Sequence, residues 1–569
     1  MLGVELIDWL VILIYLVGIT FIGLWAMRKV RSAASFFIGD RKFGKVMMAF
    51  FMFGSGTHSD QAVVVAAKTY RAGASGIWYQ WLWLFVTPFF WLIAPFFRRM
   101  RAITTGDYFE VRYGRSVSGL YALMGMLPLL VAIGVMLKGS GAIVQAVSGG
   151  AISSNLAIIA MTVMFVIYGV AGGLSAAIAT NFVQGLLTVV LSFLILPFAL
   201  MEVGGMSGLR QSISDPDMLS LVAPGEITFF FITIIAFNAL VGWVTMPETM
   251  ANCAAGKTEM EGRMGVTVGI FGKRICTIAW MLTGLCAVVM YANANLEDVD
   301  LVYGQMAHDL LPRIGPGLIG LFIASILASV MSTCDSLMVV ASALFTENIY
   351  KKFFVVGKAD KHYTLIGRIA SALVVILGIF VAFNLESVVK GLEFYWMVSA
   401  LMGIAFWVGL YWRRATVAGA WAATLTSFSA LLFTSTKPFG FVPWDFNAHF
   451  ADKLPAFMLW EGKLYLPWQM IIYLSAGFIV MVVVSLFTKR VPAENLDRFY
   501  ACLRTPIGPD EPETEPFTLP AGVEPAPRKT LIDHPDFEIP RPTMIGIVGF
   551  LAAWAVVALL IGAVYWIIG

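Results

Sequence analysis

The sequence predicts an all-α protein that crosses a membrane about fourteen times. Three observations carry that reading. Of the 569 residues, 59% are hydrophobic and only 13% charged, with a mean hydropathy of +0.83; soluble domains carry about 25% charged residues. Apolar runs of about 20 residues recur along the chain, the length a helix needs to cross the hydrocarbon core. Basic residues cluster after every second run. A spanning β-barrel would instead show short alternating segments.

The runs fall at roughly 6–27, 46–70, 76–97, 117–147, 153–172, 177–202, 227–252, 264–292, 315–349, 365–385, 388–411, 415–435, 465–488 and 543–567. Arg28, Lys29, Arg31, Arg41 and Lys42 follow the first, and Arg98, Arg99, Arg101, Arg112 and Arg115 the third. Lys257, Lys351, Lys352, Arg413, Arg414, Lys489 and Arg490 continue the alternation. By the positive-inside rule these loops are cytoplasmic, so the chain is expected in a bacterial inner (plasma) membrane with both termini outside. Glu5 and Asp8 precede the first apolar run and basic residues follow it, the reverse of a cleaved leader. Five scattered cysteines imply no disulfide framework, and no Cys/His group has metal-ligand spacing.

Two runs are interrupted. The second holds Gly54-Ser55-Gly56, and the seventh holds Gly242-Trp243 followed by Pro247. They lie five runs apart. Broken helices at matching positions of two halves point to a midplane binding site between inverted repeats. Runs two to six and seven to eleven would be those repeats. The expected organisation is a peripheral first helix and loop (1–45), a repeat-built transport core (46–412), peripheral helices (413–490), a Pro-rich cytoplasmic linker expected to be disordered (491–542) and a last helix (543–569).

The ninth run carries Ser329, Ser332, Thr333 and Ser336 at i, i+3, i+4 and i+7, so their hydroxyls share one helix face. Oxygen ligands suit a small hard cation. The bland alternative is a stripe of small residues that lets helices pack closely. Thr57-His58-Ser59-Asp60-Gln61 puts ionisable groups at the break of a spanning helix, where they are costly and mark a site by default. His58 and Asp60 could bind solute, couple protons or satisfy each other. Asp335 either tunes the ion site or caps a local kink. Lys68 is expected to snorkel, and most of the tryptophans to lie at interfaces or in packing.

Four stretches resemble motifs of the sodium:solute symporter family: TTGDYFEVRYGR (104–115), YGVAGGLSAAIATNFVQG (168–185), NCAAGKTE (252–259) and the MSTCDSLMVVASALFTENIY portion of 324–350. The resemblance implies a LeuT-like bundle of five-plus-five inverted repeats. It also implies sodium-driven import of a small polar solute, with Na+ as coupling ion and no organic cofactor. It places Gly54, Thr57, Ser329, Ser332 and Thr333 at a sodium site, with Asp335 beside it. A second sodium site of some members uses an Asp that is Asn181 here. Sugar-transporting members match most closely around the second and third runs. Their substrate contacts fall on Gln61, Tyr79, Gln80, Trp243 and Lys273, with His58 and Asp60 adjacent. Two contacts depart: an eleventh-helix Gln is Leu392, and a sugar-facing Ser is Trp83.

The expected function is therefore a symporter, a sugar or polyol being favoured. A sodium- or proton-coupled carrier of a small carboxylate or amino acid is the alternative. A non-transporting solute sensor with the same fold is the third reading. No hydrolase motif supports an enzyme. The expected partners are a small-molecule solute and the lipid bilayer, with no nucleic acid, and the chain is expected to act as a monomer.

Overall fold

A computed structural model describes residues 5–27, 44–102, 104–294, 296, 298–436, 442–508, 511–512 and 514–569, without the side chains of 23–27, 55, 164–165, 167–182 and 251–252. Among the described residues, nine helical stretches are long and apolar enough to cross a membrane, with shorter apolar helices beside them. The only strands described, β1 (Leu459–Trp460) and β2 (Lys463–Leu464), pair antiparallel in one loop.

Helix α1 spans Leu6–Met27. The second run is two helices, α2 (Lys45–Gly56) and α3 (Ser59–Ala72), and α4 follows at Trp78–Arg99. Then come α5 (Thr105–Tyr113), capped by a reciprocal Thr104–Asp107 box, and α6 (Arg115–Val147). The chain continues with α7 (Ser154–Phe193), α8 (Phe229–Trp243), α9 (Pro247–Ala254), α10 (Glu259–Met290), α11 (Val302–Leu310) and α12 (Leu318–Ala343). A π-helical stretch, Leu344–Phe354, extends α12. The remaining helices are α13 (Asp360–Asn384), α14 (Val388–Ser399), α15 (Gly403–Tyr411), α16 (Val417–Phe433), α17 (Leu466–Phe487), α18 (Ala493–Arg504) and α19 (Met544–Ile568).

Residues 154–193 are helical throughout, where hydropathy predicts two spans. Their ends nonetheless lie in one neighbourhood. A Cβ on Gly141, near the end of α6, would touch Ser154 Oγ at 2.5 Å. The Leu191 carbonyl accepts from Tyr303 (2.7 Å), whose neighbour Gly304 packs on Ile143 and Ala146. A straight helix of that length would separate its ends by about 60 Å. The helix therefore departs from a straight rod within the stretch.

Three expectations are corrected. The eleventh run reads as one continuous helix but is two, α14 and α15, with non-helical residues between. Its break packs against the seventh: a Cβ on Gly242 would lie 3.1 Å from Ser399 Oγ, and one on Gly403 would lie 2.2 Å from the Val241 carbonyl. Only glycine allows these approaches. Lys68 does not snorkel; it pairs with Glu226. Residues 491–542 are not a disordered tether in their described part. They form α18, bury Phe517 and bond to the ends of several spans. Their Pro-rich, acidic composition hides this, because the partners are arginines far away in sequence.

Candidate ion and solute site

The break between α2 and α3 follows from local chemistry. Gly54 and Gly56 have low helix propensity, and Thr57 and His58 are extended (φ −119° and −141°). Extended residues cannot complete the intrahelical ladder, so carbonyls at the end of α2 are released. Ser332 on α12 uses one of them: its hydroxyl donates to the Gly54 carbonyl at 3.2 Å. Ser329, Ser332 and Thr333 are all buried, as the shared face requires. Thr333 donates to the Ser329 carbonyl (3.4 Å), and Ser336 to that of Ser332 (3.2 Å).

Two oxygens are left over. Thr57 Oγ1 and Ser329 Oγ are buried without a hydrogen-bond partner among the described residues. Such orphans are costly and rare. Ser329 lies one turn before Ser332 on α12, and Thr57 lies at the break that Ser332 meets, so the hydroxyls and the released Gly54 carbonyl offer oxygens there. This set fits a small hard cation. A third wall comes from α7, where a Cβ on Gly185 would lie 3.6 Å from Gly54 Cα. Asn181 is in that helix, but its side chain is outside those described. Asp335 is buried further along α12, and its charge acts on Tyr15, which accepts from Gln184 of α7 (3.4 Å).

His58, Asp60 and Gln61 form one network beside the break. His58 Nδ1 and Asp60 Oδ1 are 2.5 Å apart, and His58 Nε2 is 2.8 Å from Gln61 Nε2. Gln61 Nε2 also donates to the Gly56 carbonyl (3.2 Å). Among the described residues the Gln61 side-chain carbonyl has no hydrogen-bond partner, and the same holds for Gln80 on α4. Helix α6 backs the network: Ser140 and Ser59 hydroxyls are 2.7 Å apart, and a Cβ on Gly139 would lie 2.7 Å from Asp60 Cβ. We expect Gly139→Val to displace the start of α3 and abolish stabilisation by sodium in a thermal melt. Retained stabilisation would show that the break tolerates this shift.

Lys273 on α10 is 6% exposed; its carbonyl accepts from Thr277 (3.2 Å), and among the described residues no hydrogen bond or contact ion pair is seen for its ammonium. Its neighbour Arg274 is spent on structure, donating to the backbone carbonyl of Gln80.

Other expected solute contacts are engaged elsewhere. Tyr79 donates to Glu393 of α14 at 2.8 Å, and Lys68 lies 4.6 Å above its ring. Glu393 also takes Lys390 at 2.9 Å. Together with Lys68–Glu226 these residues make a charged network on the face opposite the basic loops. Trp243 stacks on Phe90, with ring centroids 3.6 Å apart. Trp83 is half-buried, and no polar contact of the described residues ties it to the break. Glu393 was not singled out from sequence, although an acid inside an apolar run was the available signal. Tyr79→Phe should lower stability by about 1 kcal/mol, the worth of one hydrogen bond, read by denaturation in detergent.

This geometry has known counterparts. The profile of the sodium:solute symporter family matches residues 36–427. The osmoregulated proline transporter OpuE of Bacillus subtilis is 25% identical over 445 residues, covering 74% of this chain and 87% of the relative. The pig sodium/glucose cotransporter 1 (Sus scrofa) is 25% identical over 551 residues, covering 87% and 81%. The sodium/pantothenate symporter of Haemophilus influenzae is 24% identical over 332 residues, covering 57% and 67%. Among solved structures, a substrate-bound outward-open sodium-coupled sialic acid symporter superposes with a TM-score of 0.72 at 17% identity, over 86% of this chain and 99% of that one. With the family profile matched over most of its length, this chain belongs to the sodium:solute symporter family.

Proposed function

We propose that this chain is a sodium-coupled symporter that imports a small polar solute by alternating access. Members of its family are transporters, not enzymes. The observation that carries the sodium assignment is the Ser332–Gly54 contact with two orphaned oxygens, Thr57 Oγ1 and Ser329 Oγ, beside it. In this reading sodium takes oxygens from Gly54, Thr57, Ser329, Ser332 and Thr333 and holds the broken second span against α12. Sodium binding then favours the state whose solute site is formed, which is what coupling requires. We further read the helices as fourteen spans in two five-helix inverted repeats plus peripheral helices, with both termini outside.

The solute site in this reading centres on His58, Asp60, Gln61, Gln80 and Lys273. The side-chain carbonyls of Gln61 and Gln80 call for hydroxyl or N–H donors, which sugars and polyols supply. Lys273 supports a second reading, a carboxylate or amino acid. A largely buried lysine with no contact ion pair among the described residues gains from an anionic ligand. The engagement of Tyr79 and Trp243 removes two supports of the sugar reading. Relatives name proline, pantothenate and glucose as their solutes, so kinship leaves both chemistries open to test.

The deciding experiment is thermal stability of the purified protein in sodium against potassium, with panels of sugars, polyols, carboxylates and amino acids. A ligand that binds the native state alone raises stability by mass action, by about 2.7 kcal/mol at a hundred times its Kd. Stabilisation by one class, only in sodium, is the expected result. No effect of sodium at any pH would overturn the ion assignment and leave His58 and Asp60 as the coupling groups.

A further inference from the structure

The segment after α17 makes a closed circuit over the basic face. Helix α18 first docks between spans: Tyr500 donates to the Gly409 carbonyl of α15 (2.8 Å), and Arg99 of α4 donates to the Leu503 carbonyl (3.3 Å). The chain then reaches the ends of α4 and α10. Ile507 N–H donates to Glu259, which itself pairs with Arg99. Glu511 forms a two-pronged pair with Arg101, Nε–Oε1 2.5 Å and Nη2–Oε2 3.0 Å, in which the side chains are 7% and 1% exposed. Phe517 N–H donates to the Met100 carbonyl at 2.9 Å, and its ring stacks on Phe499. The chain finally returns to α15 and α17. Glu538 N–H donates to the Tyr411 carbonyl, Glu538 takes Arg413, and Asp536 takes Arg490.

Two residues of this junction are strained. Arg101 and Phe517, neither of them glycine, both hold left-handed backbone, with φ of 52° and 53°. Such strain persists only where surrounding contacts over-determine it, and it concentrates in elements that switch. The circuit joins the ends of α4 and α10, which flank the candidate site, to those of α15 and α17. A symporter must open its site to each side in turn, and separation of these ends on the basic face stretches the circuit first.

We propose, on the symporter reading above, that residues 493–508, Glu511 and 514–542 act as a clasp that holds the basic face shut and must lift before the site opens to that side. The test is hydrogen–deuterium exchange of the full-length protein, in sodium and in potassium, comparing wild type with Glu511→Gln. The variant keeps shape but removes the charge that holds Arg101. Amides at 98–102, 259–263 and 409–415 are expected to exchange at least ~10-fold faster, with no change at 63–80 on the opposite face. A second chain adds Met100→Cys and Phe517→Cys to Glu511→Gln. Their 2.9 Å backbone bond makes these positions neighbours, and Cys502→Ser is added so that the native thiol does not compete; the cross-link is confirmed by mass spectrometry before exchange is read. Oxidation is expected to restore wild-type protection, and a reductant to remove it. Three results overturn the proposal: faster exchange confined to 493–542, faster exchange spread over all spans alike, or protection indifferent to the disulfide.

Discussion

Ser332→Ala combined with Thr333→Ala will raise the sodium concentration needed for half-maximal stabilisation by about 100-fold or more while membrane insertion stays intact. Loss of groups that merely support metal ligands costs 10–100-fold in affinity, and here two proposed direct ligands go at once. The substitution removes the hydroxyl that reaches the Gly54 carbonyl, so the broken span also loses a tie to α12. Alanine suits a helix interior, so α12 itself should persist. The measurement is a sodium titration followed by thermal melting, with potassium holding ionic strength constant. An unchanged sodium midpoint would remove these residues from the ion site.

Arg112→Ala will destabilise the protein by about 3–5 kcal/mol, because hydrogen bonds made by a charged group are worth about 1.5–3 kcal/mol each and more than one is lost. Arg112 is fully buried and donates to the carbonyls of Gly409 (2.8 Å), Ala415 (3.3 Å) and Trp412 (2.9 Å). It thereby caps the end of α15 from α5. Alanine takes the guanidinium from all three carbonyls, of which Gly409 keeps Tyr500 and Trp412 keeps the Ala415 N–H, and leaves a void beside the rings of Tyr113 and Phe499. Lysine offers three donors on one nitrogen and cannot reach all three carbonyls, so Arg112→Lys should recover only part of the loss. Chemical denaturation in detergent checks both. A melt equal to wild type for Arg112→Ala would show that water satisfies the carbonyls.

The sequence makes the spans and the first two breaks legible because hydropathy and glycine act locally. The stripe from Ser329 to Ser336 is visible for the same reason: helical spacing alone puts the hydroxyls together. The break between Ser399 and Gly403 is invisible to this kind of reading. The run stays apolar, and the helix parts there because α8 packs against it through Gly242. The roles of Tyr79 and Lys68 were missed because their partners, Glu393 and Glu226, lie 314 and 158 residues away. Charge pairing at that range depends on the fold, and composition carries no trace of it. The clasp was misread for the opposite reason. Its local composition is that of a disordered segment, and its order is borrowed from Arg99, Arg101 and Arg413.

Arg101 and Glu511 are separated by 410 residues. At a synthesis rate of ~5–20 residues per second, Arg101 waits about 20–80 s after it is made before its partner exists. Throughout that interval the ends of α4 and α10 stand in water without the segment that covers them. Only the last part of that wait, about 5–20 s between completion of α15 at Tyr411 and synthesis of Glu511, has the repeat core present with one face unsealed, and it is at this stage that a protease or chaperone has its widest access to that face.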